Sequence, residues 1–396
     1  MLLIKNAKLI GEDNLKDILI NEDMIINIEE DINDDKIDKI DAEGKYVLPG
    51  MIDVHTHMRE PGFEHKEGFL TGSKACAKGG VTTFIDMPNT NPATVNIEAL
   101  EAKRKLAESS SIVNYGFHFG GSLDDNSDEI LKAENVCSTK VFMNVSTGKM
   151  IIEDETILDN IFKASKIVSV HAENEMVKKS IDLAEKHNTT LYICHVSTAE
   201  EIEYIKEAKA KGLKVYAEVT PHHLFMTEDD KSDLNIMKPE LRTQTDVEAL
   251  WQAIADGIID TIGTDHAPHL LEEKRAKETF GVPGIETALP LMLNEVNKGT
   301  LSLKKLVKLY SRKPAKIFGI SGKGKIKEGN YADLVIVDMD KEYTIKNEDI
   351  VSKCGWTPFD GWQVKGAVDT TIVNGKIVYQ NNKFYNNQGK EVCINE

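Results

Sequence analysis

MIDVHTHMREPG, residues 51–62, is an apolar run that ends in two histidines and an arginine. Alternate residues of a strand face the same way, so His55 and His57 point to one side. Seven further apolar runs follow it: VTTFIDM (81–87), IVNYGFHF (112–119), TKVFMN (139–144), KIVSVHAE (166–173), TTLYICHV (189–196), LKVYAEVT (213–220) and DTIGTDHA (260–267). Residues 97–109, 175–187, 199–211 and 244–256 place apolar side chains at helical spacing. Core packing explains the stripe in the last of these, which includes Trp251. Eight strands alternating with helices predict an α/β chain whose residues 51–323 form a (β/α)8 TIM-like barrel. Polar residues gather at the C-terminal ends of the runs, which is the catalytic face of such a barrel.

Outside the barrel the texture changes. LLIKNAKLI, DILINEDMIINIEEDI and KYVLPG read as short strands broken by Gly, Asn and Asp. The same texture returns in ADLVIVDMD, EYTI and TTIVNGKIVYQ, where Asn374-Gly375 between Ile/Val runs signals a hairpin. Neither end forms a complete domain alone. Residues 1–50 and 324–396 are therefore expected to combine into one small β-sandwich domain.

Composition narrows the function classes. The chain of 396 residues has 48 Lys and Arg against 65 Asp and Glu, a net charge of −17. Without a basic block, neither nucleic acid nor an anionic membrane surface is an expected partner. No stretch approaches the ~18 uninterrupted apolar residues of a membrane span. The lysine inside the first apolar run, with acids straight after it, does not fit a signal peptide. Cys76, Cys137, Cys194, Cys354 and Cys393 are odd in number, widely spaced and form no CxxC. Reduced thiols in a cytoplasmic protein are the expectation. Acidic runs such as EEDINDDKID read as solvated surface.

Two imidazoles converging at a strand end suit a divalent metal, although His pairs also occur for structural reasons. His171, His195 and Asp265 end three other runs. A lone histidine among apolar residues is usually a satisfied core residue. Five ligand-type residues at four strand ends are how a barrel assembles a site. Lys140 is the odd residue, because an inward-facing lysine in a barrel strand is costly unless paired or neutralised. It faces outward between helices, pairs with an acid, or carries a carbamate formed from carbon dioxide. His65, His118 and His187 are read as packing or surface residues, and His222 and His223 are not assigned as ligands.

HxH, Lys140, His171, His195 and Asp265, in this order, resemble the amidohydrolase superfamily and its cyclic amidohydrolases over nearly the whole chain. HTHMREPG (55–62), DMPNTNP (86–92), EVTPHHLF (218–225), GTDHAPH (263–269), GVPGIETALPLML (281–293) and TPFDGW (357–362) look most like the dihydroorotases that carboxylate a lysine. The resemblance implies a binuclear zinc centre. His55, His57 and Asp265 hold one ion, His171 and His195 the other, and carboxylated Lys140 bridges them. It also implies Asp265 as the catalytic proton carrier, and reversible hydrolysis of dihydroorotate to N-carbamoyl-aspartate in pyrimidine biosynthesis. Arg59, Asn89 and His269 carry over as the binders of the substrate carboxylate, with Lys238 reaching the ring. A planar guanidinium fork suits a carboxylate, although a surface ion pair is the plainer reading of Arg59. Residues 144–150 are a lid over the substrate, with Ser146 or Thr147 touching it, or a plain connection.

A third zinc near Cys194 and Glu218 is a further possibility of the donor set. Against it, adjacent strand residues point oppositely, which makes Cys194 a buried small hydrophobe. A homo-oligomer and association with aspartate transcarbamoylase are expected by resemblance. The competing readings are an allantoinase or hydantoinase/dihydropyrimidinase, whose rings lack the carboxylate, and a catalytically inactive scaffold relative.

Overall fold

Ile, Leu and Val spaced along the first fifty residues build five short strands: β1 (Leu2–Ala7), β2 (Lys16–Asn21), β3 (Met24–Glu29), β4 (Asp38–Asp41) and β5 (Tyr46–Pro49). The computed structural model describes residues 1–34, 36–146, 150–276 and 279–395. The first four strands form one sheet in the order β3-β2-β1-β4. β5 leaves that sheet and delivers the chain to the barrel.

Nine segments make the barrel wall: β6 (Met51–Thr56), β7 (Val81–Asp86), β8 (Asn114–Phe117), β9 (Phe119–Gly120), β10 (Thr139–Phe142), β11 (Ile167–His171), β12 (Thr190–Ile193), β13 (Val215–Val219) and β14 (Thr261–Ile262). Only His118 separates β8 from β9, so they are two pieces of one stave. All eight expected staves are present, and every pairing between them is parallel. The ring closes where the chain after β14 meets β6, through a parallel Thr56–His266 bridge and a 2.8 Å bond from His57 N to His266 O. β6 and β7 are buried along their whole length. This is the consequence of helices covering the outside while side chains fill the inside.

The helices lie close to their expected ranges, at Ile97–Ser110, Glu175–His187, Ala199–Ala210 and Gln244–Asp256. Their starts are chemically marked. The Thr198 hydroxyl accepts from Glu201 N while the Glu201 carboxylate accepts from Thr198 N, and Thr243 with Asp246 repeats the device. Gly257, at φ +81°, ends the last of them.

After the barrel come β15 (Leu334–Thr344), β16 (Gln363–Val373), β17 (Lys376–Gln380) and β18 (Lys383–Phe384), in a sheet ordered β18-β17-β16-β15-β5. Asn374 and Gly375 have φ of +51° and +73°, which is the two-residue turn that matches strand twist. A Cβ on Gly375 would stand 2.0 Å from Glu22 O, so this turn is packed against the N-terminal sheet. Ile4, Ile18, Ile20, Val47, Leu334, Ile336 and Ile372 share one buried cluster drawn from both chain ends.

One part of the C-terminal segment behaves differently from the rest of residues 324–396. Its last residues leave the sheet and return to the barrel. Val392 N bonds Tyr115 O at 2.8 Å, and Ile394 bridges Ile320. Val392 and Ile394 pack with Ile85, Cys137 and Phe318, so apolar burial draws the tail back. All five cysteines are free thiols, four of them buried. Among the described residues no helix is long and apolar enough to cross a membrane.

Candidate active site

Every polar side chain singled out at a strand end faces the C-terminal mouth of the barrel. His55, near the end of β6, and His57, just past it, hold their ring centroids 5.6 Å apart. Asp265 follows β14 in a left-handed turn at φ +45°. Its Oδ1 lies 3.0 Å from His57 Nε2 and 3.3 Å from His55 Nε2. The opposite ring nitrogens are engaged elsewhere. His55 Nδ1 is 2.6 Å from Glu218 Oε1, and His57 Nδ1 is 2.8 Å from Asn89 Oδ1. An N–H given to each of those oxygens leaves both Nε2 atoms as lone pairs facing a carboxylate. Three acceptors turned on one point are a grouping that could hold a metal ion.

His171 ends β11, and His195 lies two residues past β12 at φ +37°. Their rings meet with Nδ1 of His171 2.8 Å from Nε2 of His195. The outer nitrogens, His171 Nε2 and His195 Nδ1, are buried and among the described residues have no hydrogen-bond partner. The facing nitrogens, His171 Nδ1 and His195 Nε2, are the two lone pairs that could converge on one ion in place of the bond they share. Burial, aided by Lys140, holds the His171 imidazolium pKa down at about 3, and burial likewise takes His57 to about 4. Burial pushes the Asp265 carboxyl up, but His55 and His57 beside it more than reverse this and hold it well below the usual range. At neutral pH His171 and His57 are lone-pair donors and Asp265 is an anion. At His55 burial lowers the pKa, but Glu218 and Asp265 more than reverse this and raise it well above its ordinary value, so a metal bound there would displace a proton.

Lys140 in β10 points inward, which removes the outward alternative, and its side chain is fully buried. Its Nζ is 3.1 Å from Cys194 Sγ, and among the described residues no carboxylate lies within ion-pair distance. The amine therefore sits beside the histidines and Asp265, which line the same pocket.

Glu218 is the penultimate residue of β13 and has no solvent exposure. Besides His55 it accepts from His195 N at 3.1 Å and from Tyr192 OH at 2.8 Å. His55, Cys194 and Glu218 offer ligand atoms within 4.8 Å of one another. Simple strand alternation would turn Cys194 away from the site. It fails here because β12 ends at Ile193 and the chain turns left-handed at His195.

Arg59 is buried at φ +64° and lines the pocket. Its Nε donates to Pro268 O at 3.2 Å, and its NH2 group lies 2.9 Å from His269 Nε2. Burial takes its pKa down to about 10, so it stays charged at neutral pH. A surface ion pair is excluded, since among the described residues no carboxylate lies within 4 Å of it. Asn89 lines the pocket and also steadies His57. His269 stands behind Arg59 rather than on the pocket lining, with Lys66 Nζ 3.1 Å from its Nδ1. Lys238 lines the pocket with its Nζ on Glu240 at 2.7 Å, and Ser146 lines it from the loop after β10. Thr147, with the rest of residues 147–149 of the lid segment, lies outside the described residues.

Several contributors escaped sequence reasoning. Phe142, Ala267, Phe280 and Gly281 also line the pocket. Asp86, at the end of β7, accepts from Met58 N at 2.6 Å and so holds the turn between His57 and Arg59. Lys103 Nζ lies 2.6 Å from the other Asp86 oxygen, and both side chains are fully buried. Lys103 was legible only as one charge within a helical stripe. Lys103→Met leaves that carboxylate buried and unpaired, and is expected to cost about 3–5 kcal/mol of stability. Denaturant unfolding checks this, and a loss under about 1 kcal/mol would contradict it. His118 has the packing role expected, with its nitrogens on Ser138 Oγ and Val54 O at 2.7 and 2.9 Å.

The amidohydrolase family profile matches residues 46–378. A dihydroorotase of Pyrococcus abyssi (strain GE5 / Orsay) is 40% identical over 379 residues, covering 90% of this chain and 90% of its own. A dihydroorotase of Bacillus cereus (strain B4264) is 36% identical, covering 96% and 98%. Among solved structures, an L-hydantoinase (dihydropyrimidinase) from Arthrobacter aurescens superposes with a TM-score of 0.94 at 30% identity, covering 99% of each chain.

Proposed function

The chain belongs to the amidohydrolase family, and from that premise we propose that it is a hydrolase of cyclic amides whose substrate is dihydroorotate. The observation that carries the substrate is Arg59. Among the described residues no carboxylate lies within ion-pair distance of this buried guanidinium on the pocket wall, and a ring bearing a carboxylate would supply one. Hydantoin and dihydrouracil rings have none. The likeness to the hydantoinase structure supports the same ring-opening chemistry on a neutral ring, and Arg59 argues against that choice.

His55, His57 and Asp265 would hold one divalent ion, and His171 with His195 a second. Lys140 Nζ would add to carbon dioxide, lose a proton and become the carbamate that joins the two. Zinc, when bound there, supplies Lewis-acid polarisation of the scissile carbonyl and makes water nucleophilic at neutral pH. The rest falls to the chain. Arg59 anchors the substrate carboxylate and so fixes which face of the ring meets the histidines. Asp265 accepts a proton from the attacking water and returns it to the ring nitrogen as the C–N bond breaks. Asn89 and Glu218 keep His57 and His55 in the tautomers that leave Nε2 free. Run backwards, the same groups close N-carbamoyl-aspartate to dihydroorotate, the direction of pyrimidine biosynthesis.

His55, through Nδ1, together with Cys194 and Glu218 would take a third zinc. Tyr192 and His55 already satisfy Glu218, which keeps this site secondary to the other two. A cytoplasmic location agrees with the five free thiols. Homo-oligomer formation and contact with aspartate transcarbamoylase rest on family likeness.

Zinc-loaded protein kept in bicarbonate is expected to turn over dihydroorotate, to lose at least about 10²-fold of that rate on chelation, and to regain it with zinc. Full turnover after verified metal removal would overturn the binuclear reading.

A further inference from the structure

We propose that Lys274 is a positioning residue of the substrate pocket: its ammonium clamps together the two loop segments that bring Lys238, Phe280 and Gly281 to the pocket wall. The substrate named in the test rests on the dihydroorotate reading above.

Lys274 belongs to the short helix Leu271–Arg275 and is fully buried. Its Nζ donates to Ile236 O at 2.6 Å, Gly281 O at 2.8 Å and Thr279 O at 3.3 Å. An ammonium has three N–H bonds and no acceptor, so three carbonyls use all of them. Among the described residues no carboxylate pairs with it. Burial, with Arg59 nearby, moves its pKa down to about 7. Removing the ammonium would leave Thr279 O and Gly281 O without this donor, a cost to stability that the melting temperature reads separately. What the ammonium adds is a link between two segments far apart in sequence.

Both linked segments belong to the site. Ile236 lies two residues before Lys238, and Thr279 and Gly281 flank Phe280. The Lys238 Nζ sits 5.6 Å from the Phe280 ring centroid, and both residues line the pocket with Gly281. Apart from Lys274, the segments are joined by a 3.0 Å bond from Gly281 N to Ile236 O. A Cβ on Gly281, at φ +120°, would stand 2.5 Å from the Ala267 Cβ. His269 Nε2 is 3.0 Å from Phe280 O. A shift of this wall therefore reaches Ala267 and His269, next to Arg59. The histidines come from β6, β11 and β12, outside the clamp. Releasing Lys274 thus loosens the grip on substrate while the four histidines of the metal-binding set stay in place. Such a loss of uniform binding raises KM and spares kcat.

The test measures kcat, KM, zinc content and melting temperature for wild type, Lys274→Met and Lys274→Arg with dihydroorotate. Lys274→Met is expected to raise KM about tenfold or more, with kcat within about threefold and zinc content unchanged. Lys274→Arg keeps the charge but, being planar, does not reach three carbonyls at once, and a smaller rise of about threefold is expected. If Lys274→Met does not fold, Lys274→Arg alone decides on the same split. A KM within twofold of wild type in the folded variants overturns the proposal. So does a parallel fall of kcat and zinc content, which marks a merely structural role. Failure of the substrate reading is seen separately, as a wild type that does not act on dihydroorotate. The same variants are then run on the ring it does open, and the same split decides.

Discussion

Asp265→Asn is expected to lower kcat for dihydroorotate by about 10³-fold or more while the protein stays folded. The carboxylate has two tasks in this account. It faces His55 and His57 as a metal donor, and it carries the proton from water to the leaving nitrogen. Asparagine keeps the size and polarity but holds neither the charge nor the proton. Positioned proton transfer alone is worth about 10²–10⁴-fold, and weaker metal binding adds to the loss. The fold should tolerate the change, because the main-chain bonds that close the barrel run through His57 N and His266 O rather than this side chain. Steady-state rates, zinc content and an unfolding curve check the three parts together. Activity within tenfold of wild type in a zinc-loaded variant would remove Asp265 from the chemistry.

Arg59→Met is the second large effect, and it separates substrates. Removing a guanidinium that pairs with the substrate carboxylate should cost about 3–4 kcal/mol, or about 10²–10³-fold in kcat/KM for dihydroorotate. A ring without the carboxylate makes no such contact, so any turnover of dihydrouracil should change by less than about threefold. Arg59→Lys should recover little of the loss, since the site holds a planar fork between Pro268 O and His269. An equal fall on both rings would mean that Arg59 supports the strand end and does not read the substrate.

The barrel was legible because its signal is repeated. Each stave is a short apolar run with a polar residue at its C-terminal end, and the run from MIDVHTH to DTIGTDHA carries that pattern eight times. The ligand-type residues were legible for the same reason, because position on a strand sets direction. The pattern breaks where the backbone turns left-handed. Cys194 reads as facing away from the site until the positive φ at His195 is known. Contacts between distant side chains left no local trace. Asn89 reads as a substrate donor, yet its Oδ1 is on His57, and His269 stands one layer behind Arg59. Lys103 and Lys274 look like ordinary helix charges in the sequence. Burial against Asp86 in one case and against three carbonyls in the other gives them their roles. The chain's last residues were read with the C-terminal sheet, but Val392 and Ile394 pack with Ile85, Cys137 and Phe318.

The most direct test compares dihydroorotate, dihydrouracil, hydantoin and allantoin on one zinc-loaded, bicarbonate-treated preparation. The account predicts that kcat/KM for dihydroorotate exceeds that for each other ring by about 10²-fold or more, the worth of one buried ion pair. Equal or faster opening of a ring that lacks the carboxylate would contradict it, and so would no turnover of any ring by protein that holds its zinc.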